Sequence, residues 1–241
     1  MDATFDFAGD GVMVTGGAGA LGSAVVRAFA DAGADVAAVD VQPPDTGETE
    51  LAPGEADLFV EADLTDEAGA ERAVETVVDA FDGLDALCNV AGTWRGGDPL
   101  HETDVGTFDL LLDVNLKTTF LATKHALPHL QESRADGGQG AVVSVSARSS
   151  LEGGEGDGPY RAAKAGVRLL TETVAAENRG RVRANAVMPS VIDTPANREM
   201  MPDADHESWV DPADIADVVC FLCSDAASVT SGAAVPVYGE A

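Results

Sequence analysis

Short apolar runs alternate with longer helical patterns from one end of the chain to the other. Runs rich in Val and Ala at residues 11–15, 35–40, 57–61, 84–90, 141–146, 182–188 and 234–238 read as strands. Between them, apolar residues recur at helical spacing over 21–32, 66–81, 107–130, 159–178 and 212–224. Strands that alternate with helices of this length build βαβ units and a parallel sheet. The pattern therefore predicts a single α/β domain: a doubly wound, Rossmann-type sheet of about seven strands flanked by helices. No change of composition divides the chain, and no repeat of 20–50 residues appears. Residues 42–55 and 135–140, rich in Gly, Pro and polar side chains, read as surface loops.

Composition narrows the setting. The chain has 241 residues, 42 acidic against 14 basic, and a formal net charge of −28. Its lysines are Lys117, Lys124 and Lys164. Such a surface repels itself in dilute buffer, and molar salt screens that repulsion because the Debye length falls to about 3 Å. The expectation is a protein from a salt-rich cytoplasm. Nucleic acid is an unsuitable partner without a basic stripe, and no apolar run is long enough to span a membrane. The acidic start lacks the basic residues of a signal peptide, so a cytoplasmic location is expected. Three cysteines, Cys88, Cys220 and Cys223, do not make a disulfide framework. Cys220 and Cys223 have metal-ligand spacing but sit in an apolar run without a second ligand pair, which favours a buried helix face and no metal.

Candidate chemistry enters at Tyr160 and Lys164. They stand four apart on a predicted helix and so share a face. An ammonium one turn from a phenol favours the phenolate and draws its pKa toward working pH. Upstream, Thr15-Gly16-Gly17-Ala18-Gly19-Ala20-Leu21-Gly22 closes a strand and opens a helix. Glycines in that context let a backbone approach a pyrophosphate at a helix N-terminus. Asp40 ends the second strand, eighteen residues after Gly22. A carboxylate there accepts hydrogen bonds from both ribose hydroxyls of adenosine and repels a 2′-phosphate, so NADH is expected over NADPH.

Together with Asn89-Val90-Ala91-Gly92 and Asn115, these motifs resemble the short-chain dehydrogenase/reductase family along the whole chain. The resemblance implies an NAD(H)-dependent hydride transfer on a small molecule. Tyr160 is the implied acid/base, Lys164 its activator and ribose ligand, and Asn115 the support of a proton relay. It also implies that Gly16, Gly19, Leu21, Gly22, Asp63, Leu64, Asn89, Ala91, Gly92, Pro189, Ile192 and Thr194 surround the cofactor. Residues 194–209 would form a substrate lid. The helices 107–130 and 159–178 are where this family associates, so a homodimer or homotetramer is expected.

One departure is informative. The family places a serine thirteen residues before the tyrosine, to hold the substrate carbonyl, and this chain has Ala147 there. Ser146 is the adjacent candidate, although alternation along a strand points it to the opposite face. Ser149 is a second, reached if the loop curls. The dihydropteridine reductase branch of the family also lacks this serine. Segments such as Asp193-Thr194-Pro195-Ala196-Asn197-Arg198 and Ser208-Trp209 resemble that branch closely. That likeness implies a quinonoid dihydropterin acceptor, with Trp94 and Trp209 available as ring platforms. The competing readings are an alcohol/ketone dehydrogenase (3-oxoacyl or sugar type) using a displaced serine, and a nucleotide-binding sensor without turnover.

Overall fold

The computed structural model describes residues 5–44, 49–133 and 139–239. Seven strands, β1 (Gly11–Thr15), β2 (Asp35–Asp40), β3 (Leu58–Glu61), β4 (Ala86–Asn89), β5 (Gly140–Val145), β6 (Val182–Pro189) and β7 (Ala234–Val237), form one sheet in the order β3-β2-β1-β4-β5-β6-β7. Every pairing is parallel. The helices are α1 (Ala20–Asp31), α2 (Glu67–Phe81), α3 (Val105–Leu112), α4 (Thr118–Leu130), α5 (Gly158–Glu177), α6 (Pro195–Met200) and α7 (Pro212–Cys223).

Both sheet faces are covered, so the central strands are apolar on both sides rather than alternating. Val12 and Val14 of β1 join a core with Val25, Phe29, Ile215 and Val219 from α1 and α7. Met13, between them, faces Val74, Val77, Leu121 and Ala126 from α2 and α4. The chain runs outward through β2 and β3, then returns to place β4 on the other side of β1. That reversal opens a crevice beyond the carboxyl ends of β1 and β4, where ligands bind in folds of this kind.

Two local features differ from the pattern-based reading. The predicted helix 107–130 is broken into α3 and α4 by one turn of π-helix, Asp113–Lys117. The stretch 42–55 is not wholly a surface loop. Leu51 is in the core, and Glu50 N–H donates to the carbonyl of Ala18 at 2.8 Å. The remainder of that loop, 45–48, and most of 135–140 lie outside the described residues. Cys220 and Cys223 lie on the buried face of α7, as the apolar run suggests, and pack with Cys88 in the core beneath the sheet. Burial drives the Cys220 thiol well above its usual range. No cluster of His, Cys, Asp or Glu among the described residues is arranged to hold a metal. Nor is any described helix long and apolar enough to cross a membrane.

Candidate active site

The glycine turn between β1 and α1 exists because side chains would not fit. Gly16 has φ +65, and a Cβ on it would lie 2.7 Å from Ala91 Cα. A Cβ on Gly22 would lie 1.9 Å from the Gly16 carbonyl oxygen. Ala20, by contrast, simply begins α1, so the family's missing middle glycine costs nothing here. The turn borders a cavity of about 770 Å³ lined also by Gly19, Leu21, Asp40, Asp63 and Leu64. Ala91, Gly92 and Thr194 close its far side. Asp40 is fixed at the rim: its carboxylate accepts from Ala18 N–H at 3.1 Å and Gln42 N–H at 3.2 Å. Asp63 Oδ1 instead takes the Thr65 N–H and hydroxyl at 2.8 and 2.7 Å, which hold its carboxyl below the usual range. The cradle thus combines a bare glycine turn, an acid held at its rim and a volume of the size a dinucleotide needs.

Asn89 plays a structural part. Its Nδ2 donates to Thr123 Oγ1 at 3.0 Å and Ser144 Oγ at 3.3 Å, tying β4 to α4 and β5. Thr15, which opens the glycine motif but carried no role of its own in the sequence reading, accepts at Oγ1 from Val90 N–H and Ala91 N–H and so shapes the turn after β4. Its signal was a polar residue at the end of a buried strand.

Asn115 sits in the π-turn, fully buried. It exchanges two hydrogen bonds with the backbone of Thr93: Thr93 N–H donates to Oδ1 at 3.2 Å, and Nδ2 donates to Thr93 O at 2.9 Å. Single π-turns inside helices commonly mark functional positions. This one locks the loop after β4 to the helix beside Lys164. Gly92 lies between them; a Cβ on it would stand 2.8 Å from Asn115 Oδ1 and 3.0 Å from Lys164 Nζ.

Tyr160 and Lys164 both lie on α5, as predicted. Lys164 occupies a core-facing position with Ala163 and Val167, and its Nζ donates to Val145 O at 2.9 Å. Burial lowers its pKa to about 8. The ammonium stands 5.9 Å from the centre of the Tyr160 ring. The expected lowering of Tyr160 is not what this geometry gives. Burial first, and the Asp157 carboxylate second, push it up to about 12. The lysine is turned to a backbone carbonyl and is itself desolvated, so its field on the phenol loses to the environment.

Ser146 requires correction as a catalytic candidate. Its buried hydroxyl donates to the carbonyl of Lys164 at 2.8 Å, which spends it on the α5 backbone. Strand alternation sends it there, while the next residue, Ala147, carries no donor. Ser149 lies in a 3₁₀ turn, Arg148–Leu151, and its hydroxyl has no hydrogen-bond partner among the described residues. Arg161 clips that turn to α5 by pairing with Asp157 at 2.5 Å and donating to the carbonyls of Ser149 and Glu152.

Pro189 ends β6 and leads to the segment 194–209. Thr194 caps α6 by accepting from Asn197 N–H at 3.2 Å, and Asn197 Nδ2 returns to Ile192 O at 2.8 Å. Thr194 borders the dinucleotide cavity, and Met200 borders a second cavity that also holds Trp94. The two tryptophans therefore part company: Trp209 packs on His206, with ring centres 4.4 Å apart.

Known proteins of the same architecture agree with this geometry. A family model described as enoyl-(acyl carrier protein) reductase matches residues 16–239. The 2,5-dichloro-2,5-cyclohexadiene-1,4-diol dehydrogenase of Sphingobium indicum is 33% identical over 96% of this chain and 96% of its own. The cis-4-hydroxycyclohexanecarboxylate dehydrogenase of Sinomonas cyclohexanicum is 33% identical over 94% of each. Carveol dehydrogenase of Mycobacterium avium, solved in complex with NAD, superposes with a TM-score of 0.85 at 25% identity, covering 98% of both chains. Fold, site and sequence lead to one conclusion: the chain belongs to the short-chain dehydrogenase/reductase family of oxidoreductases.

Proposed function

We propose that this protein moves hydride between NAD(H) and a carbon or nitrogen of a flat, conjugated ring, with Tyr160 moving the proton. The carrying observation is the pair Ala147 and Ser146: one has no hydroxyl, and the other has turned its hydroxyl into α5. A preorganised donor at a developing oxyanion is worth about 3–4 kcal/mol. A conjugated acceptor that takes hydride at the far end of its conjugated system spreads the charge over several atoms and needs the donor less. A quinonoid dihydropterin is one such acceptor, and the unsaturated ring diol named for the Sphingobium relative is the alcohol side of similar chemistry.

A bound nicotinamide supplies or accepts the hydride. The residues of this chain do the rest. The Gly16–Gly22 turn and Asp40 seat the dinucleotide, and the fixed carboxylate disfavours a 2′-phosphate, which supports NADH over NADPH. Asn115 holds the loop after β4 at Thr93, and Lys164 Nζ holds the end of β5 at Val145 O. The Tyr160 phenol, protonated at neutral pH, gives its proton to the oxygen or nitrogen of the reduced group, and in the reverse direction its phenolate takes one from an alcohol as hydride leaves. Residues 194–209 cover both cavities as a lid. Exposed Phe108, Phe120 and Leu169 on α3, α4 and α5 support association of copies through those helices. The excess of carboxylates supports function in concentrated salt.

The test is kcat/KM for quinonoid dihydropterin and cyclohexenones against β-keto esters, sugars and aldehydes, in molar KCl. The conjugated rings should lead, and Ala147→Ser should improve the simple ketones. A second reading rests on the unengaged Ser149 hydroxyl, which would serve as the displaced donor. Efficient turnover of simple ketones, abolished by Ser149→Ala, establishes that reading and overturns the first.

A further inference from the structure

A separate cavity of about 450 Å³ opens between the loop after β4, the start of α5 and the lid helix α6. Its walls include Trp94, Pro159 and Met200, and the charged groups lining it are Arg95 and Asp98. Pro159 immediately precedes Tyr160, and Trp94 follows the Thr93 that Asn115 holds, so the cavity adjoins the catalytic helix. The loop carrying Trp94 and Arg95 is pinned. Gly97 N–H donates to Gly156 O at 2.7 Å, and a Cβ on Gly96 would lie 2.6 Å from that oxygen and 2.9 Å from Trp94 Cζ2.

Arg95 is exposed, and among the described arginines it is the one that lines this cavity. The chain carries three times as many acidic as basic side chains, and Arg27, Arg161, Arg168 and Arg198 each pair with a carboxylate. Arg95 has no ion pair or hydrogen bond among the described residues, although Asp98 shares its cavity. An unpaired guanidinium beside an indole and apolar walls, in a molecule that otherwise repels anions, has the chemistry of an anion anchor for a flat ligand.

We infer that Arg95 and Trp94 form a substrate subsite, and that the ring substrate carries a carboxylate which the Arg95 guanidinium grips. The inference rests on the reading of Tyr160 as the proton donor for that ring. A guanidinium presents paired N–H donors that match the two oxygens of a carboxylate. Trp94 gives the ring a face to lie on. Asp98 on the same rim repels the anion, so the carboxylate seats on the Arg95 side. The anchor fixes which ring edge reaches Tyr160, and it selects against neutral rings of the same shape.

The experiment compares the unmodified protein with Arg95→Gln, using 4-oxocyclohex-2-enecarboxylate and its methyl ester as substrates. Calorimetric titration of benzoate and benzamide into the NAD-loaded protein gives a readout independent of turnover. The unmodified protein should prefer the acid to the ester, and benzoate to benzamide. Arg95→Gln should raise KM for the acid and weaken benzoate by about 10- to 100-fold, the range for a lost charge-assisted hydrogen bond, while sparing the ester and benzamide. Arg95→Lys should recover part of the loss, and Asp98→Asn should tighten benzoate. Equal losses for acid and ester, or no preference for the acid in the unmodified protein, overturn the inference. Tyr160→Phe separates the two ideas, since it should stop turnover of both substrates and leave benzoate affinity intact. If neither ring is turned over, the proposed chemistry fails and benzoate decides alone. Affinity that falls in Arg95→Gln upholds the anchor, and affinity unchanged by it refutes the anchor.

Discussion

Replacing Lys164 with Met removes a charge from the interior and should change how stability depends on pH. Lys164 is 4% exposed, its ammonium bonded to Val145 O. Burial lowers its pKa from 10.5 to about 8. Between those values the unfolded chain keeps a proton that the folded chain has released. Stability must therefore rise with pH across that window, because the unfolded state binds more protons. Below pH 8 the folded protein carries the full cost of the buried charge. One group moved from 10.5 to about 8 corresponds to roughly 3 kcal/mol at about 1.36 kcal/mol per pH unit. Tyr160 acts with the opposite sign, since its pKa is raised from 10.0 to about 12, so its contribution is lost only above pH 10. The assay is urea unfolding in fixed molar KCl from pH 7.5 to 10, for the unmodified protein and Lys164→Met. The unmodified protein should gain most of that free energy across the range relative to the variant. Parallel curves would refute the buried, discharging lysine on which the site geometry depends.

Other outcomes follow from single contacts. Asp40→Ala removes the carboxylate held by Ala18 and Gln42. It should narrow the NADH-over-NADPH preference by about tenfold, as loss of ~1.4 kcal/mol of repulsion would. Equal steady-state kinetics with both cofactors in the unmodified protein would contradict the assignment. Arg183 is buried and donates to the carbonyls of Leu222, Cys223, Ser224 and Ala227, closing the end of α7. Arg183→Met leaves those acceptors short and should cost about 3 kcal/mol or more in chemical unfolding. A loss below 1 kcal/mol, on the same order-of-magnitude scale, would show that water replaces the guanidinium. The acidic surface predicts that melting temperature rises from salt-free buffer to molar KCl. A temperature that does not change with salt would remove the halophilic reading.

Much of the fold was legible because the strands bury both faces. Continuous apolar runs fixed β1 and β2 to the residue, and the ends of the others moved by one or two positions. The π-turn at Asp113–Lys117 was not legible: one extra residue per turn leaves no mark on a helical pattern already interrupted by Asp113, Asn115 and Lys117. The short helix α6 was hidden by its length and by the mixed polarity of the segment around Met200 and Met201. In the site, motif order located the glycine turn, Asn115, Tyr160 and Lys164. The pKa of Tyr160 was not legible, because it depends on burial and on Asp157 from the preceding turn rather than on the lysine spacing. The fate of Ser146 followed from strand alternation, yet its acceptor, the carbonyl of Lys164, needed the packed structure. Arg95 gave no sequence signal beyond being one of few cations. Its place in a cavity with Trp94, Pro159 and Met200 appears only in the packed structure.

The most direct test of the account is hydride transfer by Tyr160→Phe. NADH binding is measured by fluorescence titration, and a single turnover with a conjugated ring acceptor is followed by nicotinamide absorbance in molar KCl. Positioned proton transfer typically contributes about 10²–10⁴-fold. The account predicts a loss of that order in the chemical step with NADH affinity essentially unchanged. A Tyr160→Phe variant that turns over at the normal rate would contradict the assignment of the phenol as the proton donor.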